Sequence, residues 1–134
     1  MKWQDLIIDG YGRVLESLEP ALDSLSQADL DHQPKADCNS IGWIVWHLTR
    51  VQDAQIADLM KEEQVWVKGK WYARFNRAAD SEDTGFGHSS EEVAAFKSPS
   101  SRVLLEYYQA TLEQTKRYLS SLSLADLDRQ LNEP

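Results

Sequence analysis

Apolar residues recur at helical spacing in three long stretches of this chain, separated by short polar or turn-rich breaks. In the first, Trp3, Leu6, Ile7, Gly10, Val14, Leu18, Leu22 and Leu25 predict a helix over 3–25. Pro20 removes one backbone donor there, which predicts a kink or break near Ser17–Glu19. In the second, about 100° of rotation per residue puts Ile41, Ile44, Val45, Leu48, Val51 and Leu59 on one face. That pattern predicts a helix packed on a core, capped at Asn39 or Ser40 and running to Met60. Gln52 and Gln55 fall inside the same stripe, and a polar group buried there needs a partner or costs about 1–3 kcal/mol. In the third, Val103, Leu104, Tyr107, Tyr108, Thr111, Leu112, Thr115, Tyr118, Leu119 and Leu122 form the stripe. Ser98 as cap and Pro99 at the first position open that helix. Glu106, Gln109, Glu113 and Arg117 face outward, with Glu113 and Arg117 as an i,i+4 pair.

The breaks carry signals of their own. Ser26-Gln27-Ala28-Asp29 is a capping box for one short turn, and Ser89 with Glu92 is another, opening a short helix to Phe96 or Lys97. Residues 64–79 are aromatic and basic without clean period and read as a connector plugging the end of a bundle. Leu22–Gln33 and Leu119–Gln130 agree at nine of twelve positions at an offset of 97, so the chain holds two helix–turn units. The first unit leads into a long helix. The second leads to Pro134, where the matching helix is due, so the expected architecture is three long helices plus a short one, with apolar stripes left uncovered.

With 134 residues the chain reads as a single domain over 1–134. The net charge of −8 argues against a nucleic-acid or anionic-membrane surface. Five tryptophans and five tyrosines suggest large buried rings or an aromatic-lined cavity. A single cysteine, Cys38, excludes an internal disulfide and fits a reducing cytoplasm. No apolar run is long enough to span a membrane and no signal-peptide pattern opens the chain, so a soluble, cytoplasmic protein is expected.

Candidate chemistry centres on His47, at the edge of the second stripe beside Trp43 and Ile44. It reads either as a half-buried histidine bonded to a neighbouring helix, or as a metal ligand or general base in a cleft walled by Trp43 and Trp46. His88 follows the turn-rich Thr84-Gly85-Phe86-Gly87 and precedes a helix N-terminus, which favours the neutral imidazole that a metal requires; the alternative is a loop-fixing hydrogen bond. There is no Cys-x-x-Cys, no close histidine pair and no Gly-x-Ser-x-Gly elbow.

The run Ile41-Gly42-Trp43-Ile44-Val45-Trp46-His47-Leu48-Thr49-Arg50-Val51-Gln52-Asp53 resembles the second helix of the DinB-like superfamily. Gln64-Val65-Trp66 to Arg74-Phe75 resembles the aromatic connector of an actinobacterial-type branch of unassigned function. Thr84-Gly85-Phe86-Gly87-His88-Ser89 resembles its glycine–histidine loop. The resemblance implies an all-α, up-and-down helical bundle whose fourth helix, bearing further metal ligands, is absent from this sequence. It implies a divalent metal (zinc, nickel or manganese) held by His47, with His88 as a second ligand. Trp43, Trp46, Arg50, Gln55 and Trp71 would then shape a substrate pocket. The implied activity is metal-dependent transfer on a small molecule with a low-molecular-weight thiol. Two other functions stay open: a non-catalytic domain that self-associates as a homodimer or binds a small ligand through the uncovered groove, and a stress-response ligand binder with aromatic walls.

Overall fold

The computed structural model describes residues 2–129. Every regular element among them is helical. Three long helices carry the fold: α1 (Trp3–Leu22), α3 (Ile41–Met60) and α7 (Ser101–Ser121). Four short ones connect them: α2 (Gln27–Asp31), α4 (Val65–Lys68), α5 (Trp71–Arg74) and α6 (Ser90–Ala95). A 3-10 turn follows at Leu124–Asp128. The capping boxes form as the sequence predicts, Ser26 with Asp29 and Ser89 with Glu92, and Ser40 caps α3 by accepting from the Trp43 amide.

Three expectations are corrected. The first helix does not break at Ser17–Glu19; it runs through Pro20 to Leu22, because a proline in the last turn forfeits only one bond near a helix end. The last long helix is capped by Ser100 rather than Ser98. Ser98 is otherwise engaged: its amide donates to Asp31 at 2.8 Å and its hydroxyl to the Pro99 carbonyl. Glu113 is nearest to Lys116, at 3.9 Å, not to Arg117.

Helix α7 is the shared wall of the bundle, with α1 and α3 packed against it. The Tyr108 hydroxyl, whose one proton is shared with Gln52, lies 3.2 Å from the Tyr11 carbonyl while Gln4 donates to the Leu122 carbonyl, so α1 and α7 are antiparallel. Gly42 at the start of α3 lies against Ser98, just before α7, and Leu59 at its end accepts from Arg129, just after α7, so α3 runs parallel to α7. The α7 stripe is buried much as its period predicts, with Leu104, Tyr107, Tyr108, Thr111, Leu112, Thr115 and Leu119 inside.

Helix α3 is oriented differently from its apolar pattern. Its buried side holds Gly42, Trp43, Val45, Trp46, Thr49, Arg50, Gln52, Asp53, Ile56 and Ala57. Of the predicted stripe, Val45 and Gln52 are inside, Leu48, Val51 and Leu59 are half-buried, and Gln55 is exposed. Ile41 and Ile44 are 42% and 45% exposed. Buried Gln52 finds its partners, donating to Thr115 at 3.0 Å and accepting from Tyr108 at 3.0 Å.

The two repeat units share a serine–aspartate box but differ in turn, α-helical in the first and 3-10 in the second, and have opposite environments. Leu30 of the first is fully buried under α3, where Gly42 lets the backbones close: a Cβ there would lie 3.1 Å from the Leu30 carbonyl and 2.6 Å from Ser98 Cβ. In the second, Ser123 and Asp126 form the equivalent box, but Leu127 is 55% exposed and Leu124 70%. Gln130, which closes the second copy, and Pro134, where a matching helix is due, lie outside the described residues.

Candidate functional site

The i,i+4 spacing of Trp43 and His47 stacks their rings, with centroids 4.7 Å apart and planes at 17°. The 84–88 loop closes over this pair. Gly85 has φ +88°, and a Cβ there would meet His47 Nδ1 and Trp46 at 2.9 Å and Trp43 at 3.0 Å, so only glycine fits. Phe86, at the tip, is 90% exposed.

The bond between His47 Nδ1 and the Thr84 carbonyl fixes the tautomer. A carbonyl can only accept, so Nδ1 carries the proton and Nε2 keeps a free lone pair. His88 is set the other way. The Trp43 indole N–H donates to His88 Nδ1 at 3.1 Å, which leaves the proton on Nε2, 3.8 Å from the Glu92 carboxylate. The Ser89 backbone amide, which donates to Glu92, holds that carboxyl below its usual range.

Arg50 is wholly buried and spent on structure. Its Nε donates to the Asp83 carbonyl, Nη1 to Asp53 at 3.4 Å and the Tyr107 hydroxyl at 3.2 Å, and Nη2 to Gln64 and the Ser81 carbonyl. A guanidinium has five N–H donors, so none remains for a ligand. The group also lies 4.7 Å from the centre of the Trp66 ring. Asp53 completes the latch by accepting from the Val65 and Trp66 amides at 2.8 Å each, capping α4, and from Tyr107 at 2.7 Å. Burial, and then the Asp53 charge, push the Tyr107 hydroxyl well above its usual pKa, which keeps it a donor. A second latch pairs Arg77 with both oxygens of Asp83, at 2.6 and 3.1 Å, over the Trp46 ring.

A cleft of about 640 Å³ opens between the C-terminal half of α3 and the connector. Ala54, Gln55, Asp58, Glu62, Glu63, Glu82 and Thr84 are among its lining residues, which include no Lys or Arg. Thr84 joins it to His47. Of the residues expected to shape a pocket, Gln55 lines this cleft. Trp43, Trp46, Arg50 and Trp71 do not, because their surfaces are taken by one another and by the connector; Trp71 lies against Tyr107, centroids 5.5 Å apart, with Arg74 over its ring. The sequence reading missed Asp53, Gln64, Asp83 and Tyr107. The Arg50–Asp53 spacing of three, which puts both on one helix face, was the available signal.

His47 fits a metal in one respect, a free Nε2 backed by a carbonyl on Nδ1. The described residues do not fit a complete centre: no group of three or more His, Cys, Asp or Glu among them could hold an ion. Nor is any described helix long and apolar enough to cross a membrane.

A family model described as the DinB superfamily matches residues 11–134. The crystal structure of a conserved protein from Enterococcus faecalis is similar, with a TM-score of 0.84 and 26% identity, over 93% of this chain and 74% of that one. No curated protein matches the chain.

Proposed function

The chain belongs to the DinB superfamily, and from that premise we propose that it is a helical binding domain working through the open side of α3 and the acidic cleft beside it. The observation that carries this reading is the exposure of part of the apolar stripe of α3, beside a covered side that holds polar groups among its tryptophans. Its polar residues Thr49, Arg50, Gln52 and Asp53 are inside while Ile41 and Ile44 stand open on a well-formed helix. An aligned apolar surface of this kind on a charged, acidic protein is a recognition feature. The test is binding of an apolar fluorescent dye. Wild type enhances the dye's emission, and the Ile44→Glu, Leu48→Glu variant loses that enhancement with its helical circular dichroism intact. A wild-type protein that leaves the dye dark contradicts the reading.

One observation favours a second reading, metal-dependent chemistry on a small molecule with a low-molecular-weight thiol. His47 sits at the edge of the open side with its Nδ1 anchored and its Nε2 free. In that reading the remaining donors come from whatever covers α3, since His88 Nδ1 is already taken by Trp43. Stoichiometric zinc, nickel or manganese in wild type that disappears in His47→Ala supports it; equal metal in both removes it.

A further inference from the structure

We propose that Arg77 is the positioning residue for His47. It acts through Asp83 and the Thr84 carbonyl, and it holds the imidazole as the Nδ1–H tautomer with the Nε2 lone pair open. This rests on the reading of His47 as the working group of the site and adds what aims it.

The contacts run without a gap from Arg77 to the imidazole. Arg77 grips both oxygens of Asp83, from Nε at 2.6 Å and from Nη2 at 3.1 Å. The next residue, Thr84, offers its carbonyl to His47 Nδ1. A two-point pairing of guanidinium and carboxylate fixes their relative orientation, which a single bond does not. Arg77 is itself set in place: its guanidinium lies 4.9 Å from the centre of the Trp46 ring and 5.6 Å from that of Phe96, both buried. The Arg77 and Asp83 side chains are 27% and 16% exposed, so water and salt screen this pair less than one on the open surface.

The backbone between latch and histidine is pinned as well. The Asp83 carbonyl accepts from Arg50 Nε at 2.8 Å. The Asp83 amide donates to the Asp80 carbonyl at 3.1 Å and the Thr84 amide to the Glu82 carbonyl at 2.9 Å. Arg50 is the buried post of this arrangement and Arg77 the post nearer solvent. The other neighbours of His47 set its place without choosing its tautomer. Trp43 stacks on the ring face and Gly85 closes on its edge. Among the described residues, the Thr84 carbonyl alone bonds a ring nitrogen of His47. A neutral imidazole without that acceptor carries its proton on either nitrogen. With the proton on Nε2, the open edge of the ring would donate where the second reading needs it to accept.

The experiment reads the His47 tautomer by two-bond proton–nitrogen NMR on the full chain, with a chelator present and at a pH where the ring is neutral. His47→Gln identifies the resonances. Wild type is expected to show the Nδ1–H form. Arg77→Gln and Asp83→Ala are expected to lower the ratio of Nδ1–H to Nε2–H at least about threefold, with helical circular dichroism retained. Arg74→Ala loosens the same connector at Trp71 and Glu106 and should leave the ratio as it is. If Asp83→Ala fails to fold, Arg77→Gln, at the more exposed end of the pair, decides. A wild-type His47 protonated on Nε2 overturns the proposal. So does an unchanged ratio in Arg77→Gln, or an equal change in Arg74→Ala. Metal that follows His47 while the tautomer ignores Arg77 removes the positioning role and leaves the second reading standing. A tautomer that follows Arg77, with no His47-dependent metal, keeps the positioning role and removes the metal.

Discussion

The two sides of α3 share their polar and apolar residues unusually. The covered side mixes Trp43, Val45, Trp46 and Ile56 with a buried Arg50–Asp53 pair, Thr49 and Gln52, whereas the open side carries isoleucine at 41 and 44. The buried polar groups are tolerable because nearly every donor and acceptor is used: the five N–H groups of Arg50, both oxygens of Asp53 and both ends of the Gln52 amide. They do what leucine cannot, tying a connector of poor periodicity to one register. Among the described residues, Ile41 and Ile44 on the open side stay 42% and 45% exposed. Hydrophobicity along a helix therefore does not by itself say which side faces the core; a satisfied polar network competes for it.

The largest way to break this contrast is Asp53→Ala. It leaves Arg50 charged and buried and strands the Val65 and Trp66 amides. Urea unfolding is expected to show a loss of about 3–5 kcal/mol. Gly85→Ala acts on the loop that closes the His47 face. It meets a positive φ and three ring contacts at 3.0 Å or less, so a loss of about 1–3 kcal/mol and a shifted tryptophan emission are expected. Tyr108→Phe deletes the bonds to Gln52 and to the Tyr11 carbonyl and is expected to cost about 1 kcal/mol.

Tyr108 also sharpens the contrast through pH. Burial raises its pKa to about 12 from 10.0, so the folded state keeps a proton that the unfolded chain gives up first. Its contribution to stability is fully present below pH 10.0 and is lost as pH climbs toward about 12. A melting series across that window should fall less steeply for Tyr108→Phe. The smallest effect belongs to the open side, where Ile44→Ser is expected to change stability by no more than about 0.5 kcal/mol.

Much of this was legible in the sequence. The three long helices, the capping boxes at Ser26 and Ser89 and the buried arc of α7 follow from spacing and caps. On α7 the apolar arc and the covered arc coincide. On α3 they do not, because the connector packs on the Trp43, Trp46 and Arg50 side, and local period carries no record of a contact made across residues 64–85. The helices α4 and α5 are four residues each, too short to leave a period. Among the serines from Ser98 to Ser101, Ser98 is turned away from capping, its amide to Asp31 far along the chain and its hydroxyl to the Pro99 carbonyl. At the candidate site the sequence singled out His47, His88 and Trp43, and the structure brings these together, with Trp43 stacked on His47 and bonded to His88. It could not show that His88 Nδ1 is occupied or that Arg50 is fully engaged, since both depend on partners at least a loop away.

The contrast between an open Ile44 and a covered Thr49 on α3 can be measured directly by thiol labelling, in a Cys38→Ser background, of single cysteines placed at these two positions. If the account holds, the cysteine at 44 reacts about as fast as in an unfolded peptide while the one at 49 is protected until the protein unfolds. Protection at 44, or equal reactivity at the two positions, would contradict it.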